Sequence, residues 1–154
     1  MSAFRPYYAR NIRSAHVGEY SPDPVNTFVQ GDLVYYDTST DYMRLCGANP
    51  SLIAGIAEGN SSQTRLTPSG KIPIRQLQAD DIIAFPSDTD FSPTYIGDSL
   101  DVAYVSAGIW KLAVTTSNPR LLVVGGVPAA ENVDGTIWFC QVLAANCQFD
   151  AVAS

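Results

Sequence analysis

A serine, a lysine and several paired carboxylates are the groups in this chain whose spacing could do chemistry. Gly97-Asp98-Ser99-Leu100 spells the nucleophile motif of a class of serine esterases. A serine nucleophile needs a base to take its proton. The chain has one histidine, His16, far upstream of that serine, and none after it. In that esterase class the motif lies near the start of an α/β chain, with its histidine near the end. Gly97-Asp98 is therefore read as a turn leading into a strand. Ser69-Gly70-Lys71 ends like a phosphate loop, but Arg65 stands where the upstream glycine belongs and Ile72 replaces the hydroxyl residue that would meet magnesium.

The carboxylates give no stronger signal. Asp80-Asp81 and Asp88-Thr89-Asp90 offer oxygen ligands, but they lack the ligand run and the glycine of a calcium loop. Two carboxylates could also serve a glycosidase, but positions on separate loops do not set the distance that chemistry needs. Solvated loops are the simpler reading. Cys46, Cys140 and Cys147 show no C-x-x-C spacing, so neither a zinc site nor a redox pair is expected, and the thiols are read as reduced and buried. No enzyme activity, cofactor or metal is expected.

Composition points the same way. The chain has 154 residues, 46% of them hydrophobic, which is enough for one domain with a real core. Charged residues make up 16%, against roughly 25% in an ordinary soluble domain, and a surface so poor in charge fits assembly with a partner. Formal net charge is -6, and lysine occurs only at Lys71 and Lys111, so nucleic acid is not an expected partner. Glutamate occurs three times, at Glu19, Glu58 and Glu131, while the remaining acids are aspartates that favour turns over helices. The longest apolar run, Leu121 to Ala130, is broken by Gly and Pro and is too short to span a membrane as a helix. Residues Met1–Arg13 have no apolar core of a secretory leader.

Two regions are expected. Residues 1–25 interleave aromatic and basic side chains at Phe4, Arg5, Tyr7, Tyr8, Arg10 and Arg13, and Pro22 and Pro24 separate them from the rest of the chain. They read as an extended N-terminal arm, built of the residue types that anchor interfaces. Residues 26–154 read as a single β domain. Short β-rich runs alternate with turns: Thr27–Gln30, Asp32–Tyr36, Met43–Cys46, Ile82–Phe85, Leu121–Val124 and Ile137–Leu143. Leu100–Val105 and Ile109–Thr115 form the clearest hairpin, with Trp110, Leu112 and Val114 on one face. Leu52–Ala57 fits strand or helix. Ile72-Pro73-Ile74 is expected at an edge, because Pro73 cannot donate to a ladder. Ser87–Pro93 reads as a long polar loop, and Cys147–Phe149 could close a last edge. The fold class is all-β, a small β-barrel or β-sandwich.

The stretch Gly31–Gly59 reads GDLVYYDTSTDYMRLCGANPSLIAGIAEG. Gly31-Asp32-Leu33-Val34 and Gly55-Ile56-Ala57-Glu58-Gly59 resemble the strand patterns of small capsid decoration (cement) proteins of tailed bacteriophages. Ile96-Gly97-Asp98-Ser99-Leu100-Asp101, running into a hairpin, and a Gln-containing tail at Gln148 are similar to the second half of such proteins. The resemblance implies a structural virion protein on the capsid exterior. Such a protein stabilises contacts between major capsid proteins and itself forms a homotrimer or dimer. Within that picture the six arm residues would meet the capsid. Another virion module (tail, head fibre or adhesion) and a β-barrel that binds a ligand or glycan are the alternatives.

Overall fold

A computed structural model describes residues 7–10, 16–47, 50–62, 70–87, 89–106, 109–127 and 136–149. Its strands are β1 (Tyr7–Arg10), β2 (His16–Tyr20), β3 (Leu33–Asp37), β4 (Tyr42–Leu45), β5 (Gly55–Ala57), β6 (Ile72–Gln76), β7 (Ile82–Ser87), β8 (Ser99–Ser106), β9 (Ile109–Ala113), β10 (Leu121–Val127) and β11 (Thr136–Val142). They form a six-stranded sheet in the order β1-β7-β11-β10-β8-β9 and a five-stranded sheet in the order β2-β6-β5-β3-β4. Every strand pairing is antiparallel. The chain is all-β, and because neither sheet closes on itself it is a β-sandwich rather than a barrel.

The main core lies between the sheets. Leu33, Ile53, Ile56 and Leu77 from the five-stranded side meet Ile83, Phe85, Val102, Trp110, Leu112 and Trp138 from the other. As expected, Trp110 and Leu112 face inward, and Val114 packs at the margin of this core. A second core fills the opposite face of the five-stranded sheet. Val34, Met43, Ala57, Ile72 and Ile74 are buried there beneath Phe28, with Tyr20 and Tyr36 packed at the side. Alternation along β3 explains the division, since Leu33 points to one core and Val34 to the other.

The N-terminal region departs from an arm that extends away from the domain. β1 pairs with β7 (Tyr7↔Ala84, Tyr8↔Ile83), and β2 pairs with β6 from His16↔Gln76 to Tyr20↔Ile72. The chain then runs beside β4, where the Asp23 N–H donates to the Met43 carbonyl at 3.0 Å and the Met43 N–H to the Ser21 carbonyl at 2.8 Å. Residues 7–10 and 16–23 are thus part of the sandwich. Unpaired sheet edges carry free backbone donors and acceptors, and this segment covers an edge of each sheet.

Two other elements differ from the sequence reading. Residues 27–29 form no strand; Gly31 sits at φ 96° in a turn, with the Asp32 carboxylate accepting the Val29 N–H at 2.9 Å. β6 lies inside its sheet despite Pro73. In an antiparallel ladder a residue's N–H and C=O point to the same neighbour. The Pro73 carbonyl accepts from the Glu58 N–H at 2.9 Å, so the donor that Pro73 lacks would point at Glu58, just beyond the end of β5, and the ladder to β2 loses no bond. Residues 89–92 after β7 form a loop, as expected, and it packs back against Trp138. Trp138 donates from Nε1 to the Thr89 carbonyl at 3.0 Å and meets the Phe91 ring edge-on with centroids 5.4 Å apart. The Phe91 ring occupies the space a side chain at residue 126 would need, which explains Gly126.

β5 is the most constrained strand, with all three residues buried. A Cβ at Gly55 would overlap the Arg75 backbone carbonyl on β6. Gly55→Ala is expected to cost about 1–3 kcal/mol through this overlap. Gly47→Ala, where nothing lies within 4 Å of an added Cβ, is expected to be close to neutral. Urea midpoints of the two variants check this.

Candidate functional site

The β3–β4 hairpin carries a cluster of ion pairs and borders two surface depressions. Tyr35 and Arg44 are directly opposed in the register, so their side chains share a face. Asp37 lies two residues beyond Tyr35 and so falls on the same face. Further back on this face Leu33 and Cys46 are buried between the sheets. The face therefore changes from apolar to polar where it emerges from the sandwich.

Arg44 organises the polar end. Its Nε lies 3.0 Å from Asp37 and its Nη1 lies 3.6 Å from Asp23. Asp23 is almost fully buried and accepts the Val25 N–H at 2.9 Å. That hydrogen bond, opposed by burial and aided by the Arg44 charge, holds the Asp23 carboxyl below its ordinary range. Asp37 accepts from the Ser39 hydroxyl at 2.6 Å and the Ser39 N–H at 2.9 Å, and these bonds lower its pKa as well.

Two depressions flank Tyr35. One, of about 400 Å³, is lined by Tyr35, Asp37, Thr38, Ser51, Leu52 and Gln148 among others. A smaller one of about 220 Å³ lies toward Asp23, Asn26 and Arg44. Tyr35 and Gly47 line both. The floor of the larger one is fixed by Gln148, whose Oε1 accepts from the Tyr36 N–H at 2.8 Å and whose Nε2 donates to the Tyr36 carbonyl at 2.7 Å. The side-chain amide takes the place of a strand backbone beyond the short β5. Phe149 then stacks on Tyr20, with centroids 5.8 Å apart. The tail expected to close a sheet edge forms no edge strand: Cys147 makes an isolated parallel bridge to Ile53, and Gln148 bonds the internal strand β3.

The structure places Tyr7, Tyr8 and Arg10 in β1, at one end of the six-stranded sheet. Phe4, Arg5 and Arg13 lie outside the described residues. Ser99 begins β8 in the six-stranded sheet, while His16 begins β2 in the other, so the esterase-like motif and its only candidate base stand on different sheets. Gly97 adopts φ 95° and Asp98 donates its N–H to the Tyr95 carbonyl at 3.0 Å, which is the expected turn. Asp81 is buried and accepts the Gln78 N–H at 2.8 Å, a local turn bond. Asp88 lies outside the described residues. Among the described residues no group of three or more His, Cys, Asp or Glu could hold a metal ion. No helix among them is long and apolar enough to cross a membrane.

Sequence reading missed Asp23, Tyr35, Asp37 and Arg44. Alternation within Leu33–Asp37 and Tyr42–Cys46 does put the last three on one face once the hairpin register is known. Nothing in the spacing brings Asp23 or Gln148 beside them. No protein-family model, curated protein or solved structure matches this chain.

All three cysteines are free and buried. Burial pushes the Cys140 thiol up to about 12 and raises Cys46 further still. Cys147 donates to the Leu77 carbonyl at 2.8 Å. A thiol needs its thiolate form to react. The folded chain is therefore expected to leave all three unlabelled by Ellman's reagent at pH 8, and the urea-unfolded chain to titrate all three. A thiol that reacts rapidly in the folded chain would contradict this.

The lowered carboxyl pKa values at Asp23 and Asp37 set an acid limb. A carboxyl lower in the folded than in the unfolded chain adds stability above the unfolded pKa of about 3.9, and that stability is lost as pH falls through the folded value. The pair Asp23→Asn/Asp37→Asn is expected to melt below the wild type at pH 6. The two melting temperatures should converge as pH falls below about 4. Thermal melts from pH 6 to 2.5 check the convergence.

Proposed function

We propose that this chain is a structural, non-catalytic module that binds the outside of a tailed-phage head and stabilises contacts between major capsid proteins. The observation that carries the reading is the position of residues 7–10. This short, aromatic and basic segment forms the terminal strand of the six-stranded sheet, with β7 as its only sheet neighbour among the described residues. An edge strand offers backbone groups to a strand of another chain, and the alternate side chains then give specificity. The low charge of the chain suits a surface that spends its working life covered. The Gly-Asp and Gly-Ile-Ala strand patterns that resemble decoration proteins fall on the start of β3 and on β5, at the centre of the fold.

The physical role follows from linkage. A ligand that binds only the expanded shell stabilises that shell against its other states. If copies of the chain associate as a trimer or dimer, each adds a further point of attachment and effective affinity rises.

The test uses the full chain and expanded empty heads assembled from the major capsid protein encoded with it. Saturable co-sedimentation with expanded heads and none with unexpanded ones is expected. Charge reversal at Arg5, Arg10 and Arg13 should weaken binding about tenfold or more, while the circular dichroism spectrum stays unchanged. Absence of co-sedimentation of the wild-type chain with expanded heads would overturn the reading.

A further inference from the structure

We propose that the groove around Tyr35 is a binding site for a neutral oligosaccharide. The inference concerns the free chain and does not depend on attachment to a capsid.

Size and shape come first. The larger depression, about 400 Å³, falls within the range of small-ligand sites, roughly 300–1,000 Å³. The smaller one, of about 220 Å³, shares Tyr35 and Gly47 with it. Two depressions sharing one aromatic side chain suit a ligand made of successive rings. The half-buried Tyr35 presents an aromatic body with a polar tip, a combination suited to a ligand with both apolar and polar faces. A sugar ring has such faces, apolar along its C–H groups and polar at its hydroxyls.

Polar groups line both depressions, Asp37, Thr38 and Ser51 the larger and Asp23, Asn26 and Arg44 the smaller. Thr38 and Ser51 are exposed at the rim and bring hydroxyls that both donate and accept. The Asp37 carboxylate and the Arg44 guanidinium are held against each other, so their positions are set before a ligand arrives. A fixed acceptor beside a fixed donor matches the alternating donors and acceptors of neighbouring hydroxyls, and preorganisation lowers the cost of binding. The floor is equally fixed, through the double hydrogen bond of Gln148 to Tyr36.

Charge narrows the ligand class. Asp23 and Asp37 together outweigh Arg44, which lies against both, and the whole chain carries a formal net charge of -6. Such a field repels phosphates, nucleotides and acidic sugars. Apolar ligands are disfavoured because they would strip water from the ion pair without replacing its hydrogen bonds. A neutral polyol satisfies both conditions.

The experiment is titration of the ¹⁵N-labelled full chain with maltotriose, cellotriose, mannotriose and chitotriose, with 3′-sialyllactose as the acidic comparison. Saturable shifts are expected for at least one neutral trisaccharide, centred on the amides of Tyr35, Thr38, Ser51 and Gln148, with none from sialyllactose. Tyr35→Ala is expected to weaken binding about tenfold. Ser51→Arg changes an exposed rim position and should block the groove while leaving the rest of the spectrum in place. Ile96→Ser, at a 52% exposed site that lines neither depression, should bind as the wild type does. No shift with any neutral trisaccharide, shifts away from the groove, or full binding by Ser51→Arg would each overturn the proposal.

Discussion

Burial of both faces of one sheet is the constraint on which the rest of the structure depends. The five-stranded sheet must be apolar on the side facing the six-stranded sheet and apolar again on the side beneath Phe28. Its middle strand, Gly55–Ala57, is only three residues long and wholly buried. So short a strand cannot cover the neighbouring β3 along its whole length. The uncovered backbone at Tyr36 is taken up by the Gln148 side chain. Closing that gap brings the tail to β3, stacks Phe149 on Tyr20 and forms the floor of the surface groove.

The same constraint explains the course of the N-terminal residues. A sheet buried on both faces still has two edges, and β2 covers one of them. The continuation through Ser21 and Asp23 reaches the opposite edge at Met43. Asp23 arrives there buried, where its carboxylate is stabilised by the Val25 N–H and the charge of Arg44. The ion pairs of Arg44 thus belong to the path of the chain as much as to the surface. Electrostatics at the groove and pairing at the sheet edge are one arrangement, so acid should loosen both together.

Much of the fold was legible because period-two alternation and turn chemistry are local. The hairpin of β8 and β9, with Trp110 and Leu112 inward, needed only its own residues. So did the turn at Gly97 and Asp98. The all-β class came from short runs, scarce glutamate and lysine, and frequent aspartate. What could not be read depends on distant partners. Pro73 suggests an edge until Glu58 is known to face its carbonyl. The polar loop after Ser87 looks free until Trp138 and Gly126 receive Phe91. Residues 7–10 and 16–20 resemble an arm because no sustained pattern of their own marks them as strands, and only their partners β7 and β6 do so. The groove was hidden for the same reason. Asp23, Arg44 and Gln148 are brought together by long-range pairing.

The central claim is that this sandwich works as a bound exterior component of a shell. Single-particle cryo-electron microscopy of expanded heads incubated with the full chain tests it most directly. The account predicts extra density on the outer surface that fits the sandwich, with the edge of β1 opposite β7 facing the capsid and residues preceding Tyr7 ordered against it. A reconstruction of the same heads with a bare exterior at saturating concentrations of the chain would contradict it.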